Sequence, residues 1–281
     1  MENTHLTHNG LCRSDIRKIS SKAYIKMTSR WSGRVALVTG ASAGIGFAVT
    51  KQLAQLGMNV IGCARNTDKI KQLQEECQIA DIAGSVHAYK CDISNEGEIL
   101  SMFAEIKEKY GGVDVCINSA GLGIDAPLLK ADTKQWKQML EVNVLGLCIC
   151  TREAVKSMRD RNVDDGHIFH LNSLIGHRIV PGSTSYHFYG ATKFAVTALT
   201  EGLRQELREI KSHIRITSIS PGTVRTEFVS RLFDEERANQ MYNECKPLEA
   251  DDIVDAIVYA LQAPPHVQVH DILLRGIESQ S

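Results

Sequence analysis

A doubly wound α/β sheet of about seven parallel strands, with helices on both faces, is the fold class this sequence predicts. Three observations predict it. From Arg34 onward, short apolar runs alternate with segments of helical period, the pattern of parallel strands joined by right-handed helical crossovers. The first apolar run feeds straight into a glycine cluster and then a helix, the entry of a Rossmann-like fold. No repeat, low-complexity block or linker interrupts residues 31–281, so they are expected to form one domain.

Each element has its own signal. Val35–Thr39 is apolar enough for a strand buried on both faces. Gly40-Ala-Ser-Ala-Gly44-Ile-Gly46 follows, then a helix from Phe47 to Leu56 closed by Gly57. Asn59–Ala64 is the second strand, and Asp68–Cys77 a polar helix. The third strand, Val86–Cys91, ends at Asp92, and Ile99–Ile106 supplies the next helix. Val113–Ile117 is the fourth strand, ending at Asn118. A long helical region covers Thr133 to Met158, before a fifth strand, His167–Leu171, with Asn172 and Ser173 at its exit.

The next helix carries Tyr189 and Lys193, and its apolar face is marked by Phe194, Val196, Leu199, Leu203 and Leu207. Ile214–Ile219 is the sixth strand, ended by Pro221-Gly222. Thr226–Asn243 reads as exposed helix, Asp252–Leu261 as a further helix, and Val267–Leu274 as the last strand.

Composition narrows the function classes. The 281 residues are 43% hydrophobic and 23% charged, the balance of an ordinary soluble globular protein, and the formal net charge is -1. That charge gives no reason to expect nucleic acid or an anionic membrane as partner. No apolar run approaches the roughly 18 residues that cross a bilayer. The eight cysteines are scattered, several inside apolar runs, and Cys148-Ile149-Cys150 has no second pair nearby. They are expected as reduced core residues in a cytoplasmic protein rather than zinc ligands or disulfides.

Residues 1–30 differ from the rest. They are polar, carry Arg13, Arg17, Lys18, Lys22, Lys26 and Arg30 against Glu2 and Asp15, and contain no apolar signal core. A disordered extension is expected rather than a secretory leader, with a mitochondrial presequence as a weaker alternative and Met27 as an alternative start.

The chemistry collects at strand ends. Glycines let backbone amides approach a pyrophosphate at a helix N-terminus, so Gly40, Gly44 and Gly46 point to a dinucleotide. NAD sites usually place an acidic residue at the end of the second strand. Here Ala64 is followed by Arg65, and a guanidinium suits the 2′-phosphate of NADP. Asp92 and Asn118 also end strands, where this architecture forms its ligand crevice. Tyr189 and Lys193 lie four apart on one helix face, so an ammonium is placed to favour a phenolate. Taken alone those two are an ordinary surface pair. Tyr186 competes as a phenol, but four residues after it stands Gly190.

Together these motifs resemble the short-chain dehydrogenase/reductase family. Thr39-Gly40-x3-Gly44-x-Gly46, Asp92, Asn118-x-Ala120-Gly121, Asn143, Ser173, Tyr189-x3-Lys193 and Pro221-Gly222 occur in the family's order. The resemblance covers essentially everything from Trp31 onward. Ser119 departs from the family's usual asparagine, and the Ser173–Tyr189 loop is one residue longer than in similar members.

The resemblance implies roles. Tyr189 would act as general acid or base, Ser173 would bind the substrate oxygen, and Lys193 would bind the nicotinamide ribose and lower the Tyr189 pKa. Asn143 would hold a relay water. Asp92 would contact adenine, Asn118 the adenosine side of the cofactor, and Val224 to Thr226 its nicotinamide end. Ser42, Ile45, Asn66, Ile93, Pro221 and Gly222 would complete an NADP site with Gly40, Gly44, Gly46, Arg65, Tyr189 and Lys193. Homodimers or homotetramers through the long helices are also implied.

Phe228, Val229, Leu232, Phe233, Met241 and Tyr242 suggest a hydrophobic small-molecule substrate. Three stretches, Val163–Ile168, Gly176–Arg178 and Ala195–Arg208, resemble a narrower branch. That branch implies 3β- and 17β-hydroxysteroids, keto-steroids or isoprenoid alcohols such as farnesol. A binding protein without turnover would typically have lost Ser173, Tyr189 or Lys193. A sugar-nucleotide epimerase would have a larger C-terminal region. His167, His170, His177 and His187 have no carboxylate or cysteine at ligand spacing in the sequence, so no metal is expected.

Overall fold

A computed structural model of the chain describes residues 30–179, 184–233 and 235–279. Seven strands form one open, wholly parallel sheet in the order 3-2-1-4-5-6-7. They are β1 (Val35–Thr39), β2 (Asn59–Ala64), β3 (Ser85–Lys90), β4 (Val115–Asn118), β5 (His167–Leu171), β6 (Arg215–Pro221) and β7 (Asp271–Leu274). β1, β2 and β5 have the bounds expected from sequence, because each is an apolar run buried along almost its whole length.

Successive residues of a strand point to opposite faces, and the core divides accordingly. Ala36 and Val38 join one apolar cluster with Val49, Leu53, Ile70, Ile253 and Ile257. These come from α1 (Gly44–Gln55), α2 (Asp68–Ile79) and α9 (Ala250–Gln262). Val35 and Leu37 join the other, with Ile99, Met102, Cys150, Ala154 and Leu207. Those residues belong to α3 (Glu96–Tyr110), α5 (Leu147–Asp160) and α6 (His187–Glu209). Leu37, Ile61, Ile117 and Phe169 are almost wholly buried, each side chain contributing about 1.5–3 kcal/mol.

Several element ends shift, β7 beginning at Asp271 rather than Val267, and three departures bear on the site. α1 starts at Gly44 rather than Phe47, because Gly44-Ile45-Gly46 already form its first turn. The long helix after Thr133 is divided: α4 (Thr133–Leu140) passes through a π-helical turn, Glu141–Gly146, into α5. Thr226–Asn243 forms two helices, α7 (Glu227–Leu232) and α8 (Glu235–Glu244).

Arg30 belongs to the folded part rather than to the expected extension. Trp31 is buried with its indole N–H donating to the Leu261 carbonyl at 3.1 Å, and the Arg30 and Arg34 guanidiniums lie 4.8 and 4.9 Å from its ring centre. The expectation for residues 1–29 lies outside the described residues. Among the described cysteines, Cys63, Cys77, Cys91, Cys116 and Cys150 are buried free thiols, as expected for core residues, whereas Cys148 and Cys245 are only half-buried. No helix among the described residues is long and apolar enough to cross a membrane.

Candidate active site

Strand order reverses at β1, whose neighbours are β2 and β4, and a crevice opens at the carboxyl ends of the strands there. It is a cleft of about 910 Å³. One end is lined by Arg65, Asn66, Asp92 and Ile93; the middle by Gly40, Ser42, Gly44, Ile45 and Gly46. Ser173, Tyr189 and Lys193 follow, with Pro221, Gly222, Val224 and Thr226 alongside.

The glycines are required by geometry. Gly40 and Gly44 have φ of 69° and 53°, values that side-chain-bearing residues rarely adopt. A Cβ on Gly46 would stand 2.4 Å from the Gly40 carbonyl oxygen, and one on Gly40 2.8 Å from Ala120 Cα. No side chain caps α1 at Ala43, so the backbone amides of its first turn are left for an anion. Thr39 Oγ1 accepts the Ala120 N–H at 3.1 Å, which holds the β4 loop against the glycine turn.

At the β2 end, Arg65 is exposed and lines the cleft. Burial raises the Asp92 pKa, but two hydrogen bonds from Ser94 and the nearby Arg65 charge outweigh it, leaving the carboxyl below its ordinary value. Asn66 Oδ1 accepts the Asp68 N–H at 2.8 Å and shapes the turn into α2.

The residues expected to be reactive converge from two elements. Ser173 leaves β5 and caps a short 3₁₀ turn, Leu174–Gly176. Its hydroxyl lies 3.3 Å from the Pro221 carbonyl and hydrogen-bonds Tyr189. Tyr189 and Lys193 both face inward from the first turns of α6 and are buried. Lys193 Nζ donates to the Leu171 carbonyl at 2.6 Å and lies 5.7 Å from the centre of the Tyr189 ring. Burial draws its pKa down to about 8.

Two expectations are corrected here. For Tyr189 the expected lowering does not prevail: burial raises the phenol, against the hydrogen bond with Ser173. The ammonium lies over the ring and donates to a main-chain carbonyl. Asn118 does not line the cleft. Its side chain turns into the interior, where Nδ2 donates to Thr151 Oγ1 at 3.1 Å, and Ser119 and Ala120 line the cleft instead. Strand alternation sets the face that Asn118 presents, and Ser119 and Ala120 run past the strand end into the cleft.

Asn143 also sits behind the cleft rather than on its wall. Oδ1 accepts the Leu122 N–H at 2.7 Å, and Nδ2 donates to the Leu122 carbonyl at 2.8 Å and Thr192 Oγ1 at 3.0 Å. Thr192 in turn donates to the Tyr189 carbonyl at 2.7 Å. Asn143 therefore braces the loop facing Tyr189. Thr192 carried a readable signal, a hydroxyl placed to bond back within its own helix.

Beyond Tyr189 the cleft becomes apolar. Phe228, Val229, Leu232, Phe233 and Met241 line it as expected, whereas Tyr242 instead donates to the Thr226 carbonyl at 3.3 Å. The Phe228 and Tyr189 ring centres are 5.5 Å apart. Tyr186, set aside in the sequence as a phenol without a partner, lines this half edge-on to Phe233 at 5.7 Å. Leu122 and Ile124 line it too, and no motif marked them. Part of the longer loop before Tyr186, residues 180–183, lies outside the described residues.

Known proteins are similar to this chain. Residues 34–237 match the short chain dehydrogenase family. The chain is 58% identical over 254 residues to dehydrogenase/reductase SDR family member 11 of Gallus gallus, covering 90% of this chain and 99% of that protein. It is 43% identical over 249 residues to farnesol dehydrogenase of Aedes aegypti, covering 88% and 98%. Its fold is similar to the closed form of a serine dehydrogenase complexed with NADP+, at a TM-score of 0.79 and 28% identity, covering 88% of this chain and 96% of that one. The chain belongs to the short-chain dehydrogenase/reductase family and is an oxidoreductase of that family.

Proposed function

We propose that the protein is an NADP(H)-dependent oxidoreductase that interconverts hydrophobic secondary alcohols and ketones, with hydroxysteroids and keto-steroids as its substrate class. One observation carries this reading. Ser173, Tyr189 and Lys193 meet where a glycine-lined half of the cleft joins an apolar, aromatic half. That junction is where a cofactor and an apolar substrate would touch.

The residues fit NADP. A Cβ at Gly46 would clash with the Gly40 carbonyl, the α1 amides carry no side-chain cap, and the exposed Arg65 would meet a 2′-phosphate. The NADP+ complex among similar structures supports the same choice. When bound, the nicotinamide supplies or accepts the hydride. Tyr189 then gives a proton to the carbonyl oxygen in reduction and takes one from the alcohol in oxidation. Ser173 donates to that same oxygen as its charge develops. Lys193, fixed by Leu171, places a positive charge over the ring, and Asn143 holds Leu122 and Thr192 so that the Tyr189 turn keeps its place.

A second substrate class has specific support. The similar Aedes aegypti protein is named a farnesol dehydrogenase, and the apolar wall suits an isoprenoid chain equally well. The half-exposed Leu145 of the π-helical turn and Phe194 of α6 support a homodimer or homotetramer.

The test is NADPH oxidation on a panel of keto-steroids, farnesal and small dicarbonyls, repeated with NADH. Turnover of keto-steroids that prefers NADPH is expected. Farnesal as the best substrate would favour the second class. Tight NADPH binding without reduction of any panel member would point to a binding protein.

A further inference from the structure

His177 closes the tight turn that Ser173 opens, and none of the chemistry above uses it. Its Nε2 lies 2.9 Å from Ser220 Oγ and 3.2 Å from Asp271 Oδ2. Ser220 Oγ donates its single proton to Asp271 Oδ1 at 2.9 Å. A hydroxyl has one hydrogen, so Ser220 accepts from its other neighbours. His177 Nε2 therefore carries a hydrogen and shares it between Ser220 and the Asp271 carboxylate. Ser218 Oγ, 3.1 Å from Ser220 Oγ, donates as well.

These groups come from three places in the chain. β7 pairs with β6 so that Ser218 stands opposite Asp271 and Pro221 opposite Leu274. That register brings the Asp271 carboxylate under the end of β6, where Ser220 and His177 reach it. His177 and Asp271 side chains are only 23% and 20% exposed, so the bond is better shielded than a surface pair.

The cluster stands directly behind Ser173. Pro221, the residue after Ser220, offers the carbonyl 3.3 Å from Ser173 Oγ. The Gly222 N–H that follows donates to the Leu274 carbonyl at 2.7 Å. Inside the turn, the Gly176 N–H donates to the Ser173 carbonyl at 2.9 Å and the His177 N–H to that of Leu174 at 3.0 Å. On the far side, Thr197 Oγ1 of α6 donates to the Gly176 carbonyl at 2.9 Å. The turn is thus held to α6 by Thr197 and to the sheet by His177.

We propose that His177, Ser220 and Asp271 form a positioning triad that holds the Ser173 hydroxyl in register with Tyr189. The last strand of the fold then contributes to turnover through Asp271, a residue that touches neither substrate nor cofactor. This rests on the reading of Ser173 as the ligand of the substrate oxygen. Losing the tie lets the turn shift, and a displacement of about 1 Å costs on the order of 100-fold in rate.

The experiment compares wild type, His177→Ala, His177→Gln, Asp271→Asn, Ser173→Ala and the double variant Ser173→Ala/His177→Ala. Steady-state keto-steroid reduction is measured beside NADPH fluorescence titration and thermal melting. His177→Ala and Asp271→Asn are expected to lower kcat by about 10–100-fold, with NADPH affinity within about twofold. His177→Gln, whose amide N–H can donate to both partners, is expected to recover kcat to within about threefold of wild type. In the Ser173→Ala background, removing His177 is expected to cost less than about twofold, because it acts through Ser173.

Full additivity in the double variant, or a Gln variant as poor as Ala, would overturn the triad. So would an unchanged kcat in His177→Ala with an active wild type. If His177→Ala melts below the assay temperature, the isosteric Asp271→Asn decides the matter in the same way. A wild type that binds NADPH but turns over nothing would overturn the functional reading itself, and the triad with it.

Discussion

The Lys193 ammonium donates to the main-chain carbonyl of Leu171 at 2.6 Å. Leu171 ends β5, so the carboxyl end of an interior strand fixes the charge, and the charge is buried at a cost. Its pKa is drawn from 10.5 to about 8.

That cost has a sign and a pH window. Between about pH 8 and 10.4 the unfolded chain holds more protons on this lysine than the native one, so stability rises with pH there. Below the window the full penalty applies, about 3 kcal/mol for such a shift. Lys193→Met removes it but leaves the Leu171 carbonyl unpaired, a loss of about 1 kcal/mol. The variant is expected to be inactive, yet more stable than wild type by about 2 kcal/mol at pH 7. Urea unfolding at several pH values checks this, the advantage vanishing by about pH 10.

A second buried group sets acid sensitivity. His170 Nε2 lies 3.0 Å from Thr151 Oγ1 and Nδ1 2.9 Å from Thr200 Oγ1, and burial holds its pKa to about 3. Unfolded histidine titrates near 6.5, so the stability its neutral form provides is lost as pH falls from about 6.5 towards 3. At pH 5 this amounts to about 2 kcal/mol. His170→Gln is expected to be less stable at pH 7 but to lose less between pH 7 and 5, measured by thermal or urea unfolding.

On the proposed NADP(H) preference, Arg65 would carry the choice of cofactor. A charge-assisted bond to a 2′-phosphate is worth about 1.5–3 kcal/mol. Arg65→Ala is therefore expected to weaken NADPH binding by about 10–100-fold and to leave NADH almost unchanged. Fluorescence titration with both cofactors reads the difference directly.

Two glycines give a paired test. A Cβ on Gly46 meets the Gly40 carbonyl at 2.4 Å, whereas one on Gly202, within α6, meets nothing within 4 Å. Gly46→Ala is expected to destabilise by about 1–3 kcal/mol and to abolish NADPH binding. Gly202→Ala is expected to stabilise by about 0.5–1 kcal/mol with binding intact. Melting temperature and cofactor titration separate the two.

Much of this was legible in the chain. β1, β2 and β5 were readable to the residue because burial on both faces leaves an uninterrupted apolar run. The cleft-lining glycines were readable from their place between strand and helix, and Ser173, Tyr189 and Lys193 from their order in the family's pattern. What failed was tertiary. Asn118 ends its strand as expected, but which face it presents depends on strand alternation, and it faces Thr151. The Lys193 position depends on a carbonyl 22 residues away, which no helical spacing can show. His177 and Asp271 are brought together by the β6–β7 register alone. Tyr186 joins the site through Phe233, a residue of another segment.

Tyr189 as proton donor is the centre of the account. The most direct measurement is the rate of NADPH-dependent keto-steroid reduction by wild type and Tyr189→Phe, with NADPH affinity measured on both. We expect Tyr189→Phe to bind NADPH within about threefold of wild type while its turnover falls by about 10²–10⁴-fold, the span of general acid catalysis. Turnover by Tyr189→Phe within tenfold of wild type would contradict the assignment and move the proton donor elsewhere in the cleft.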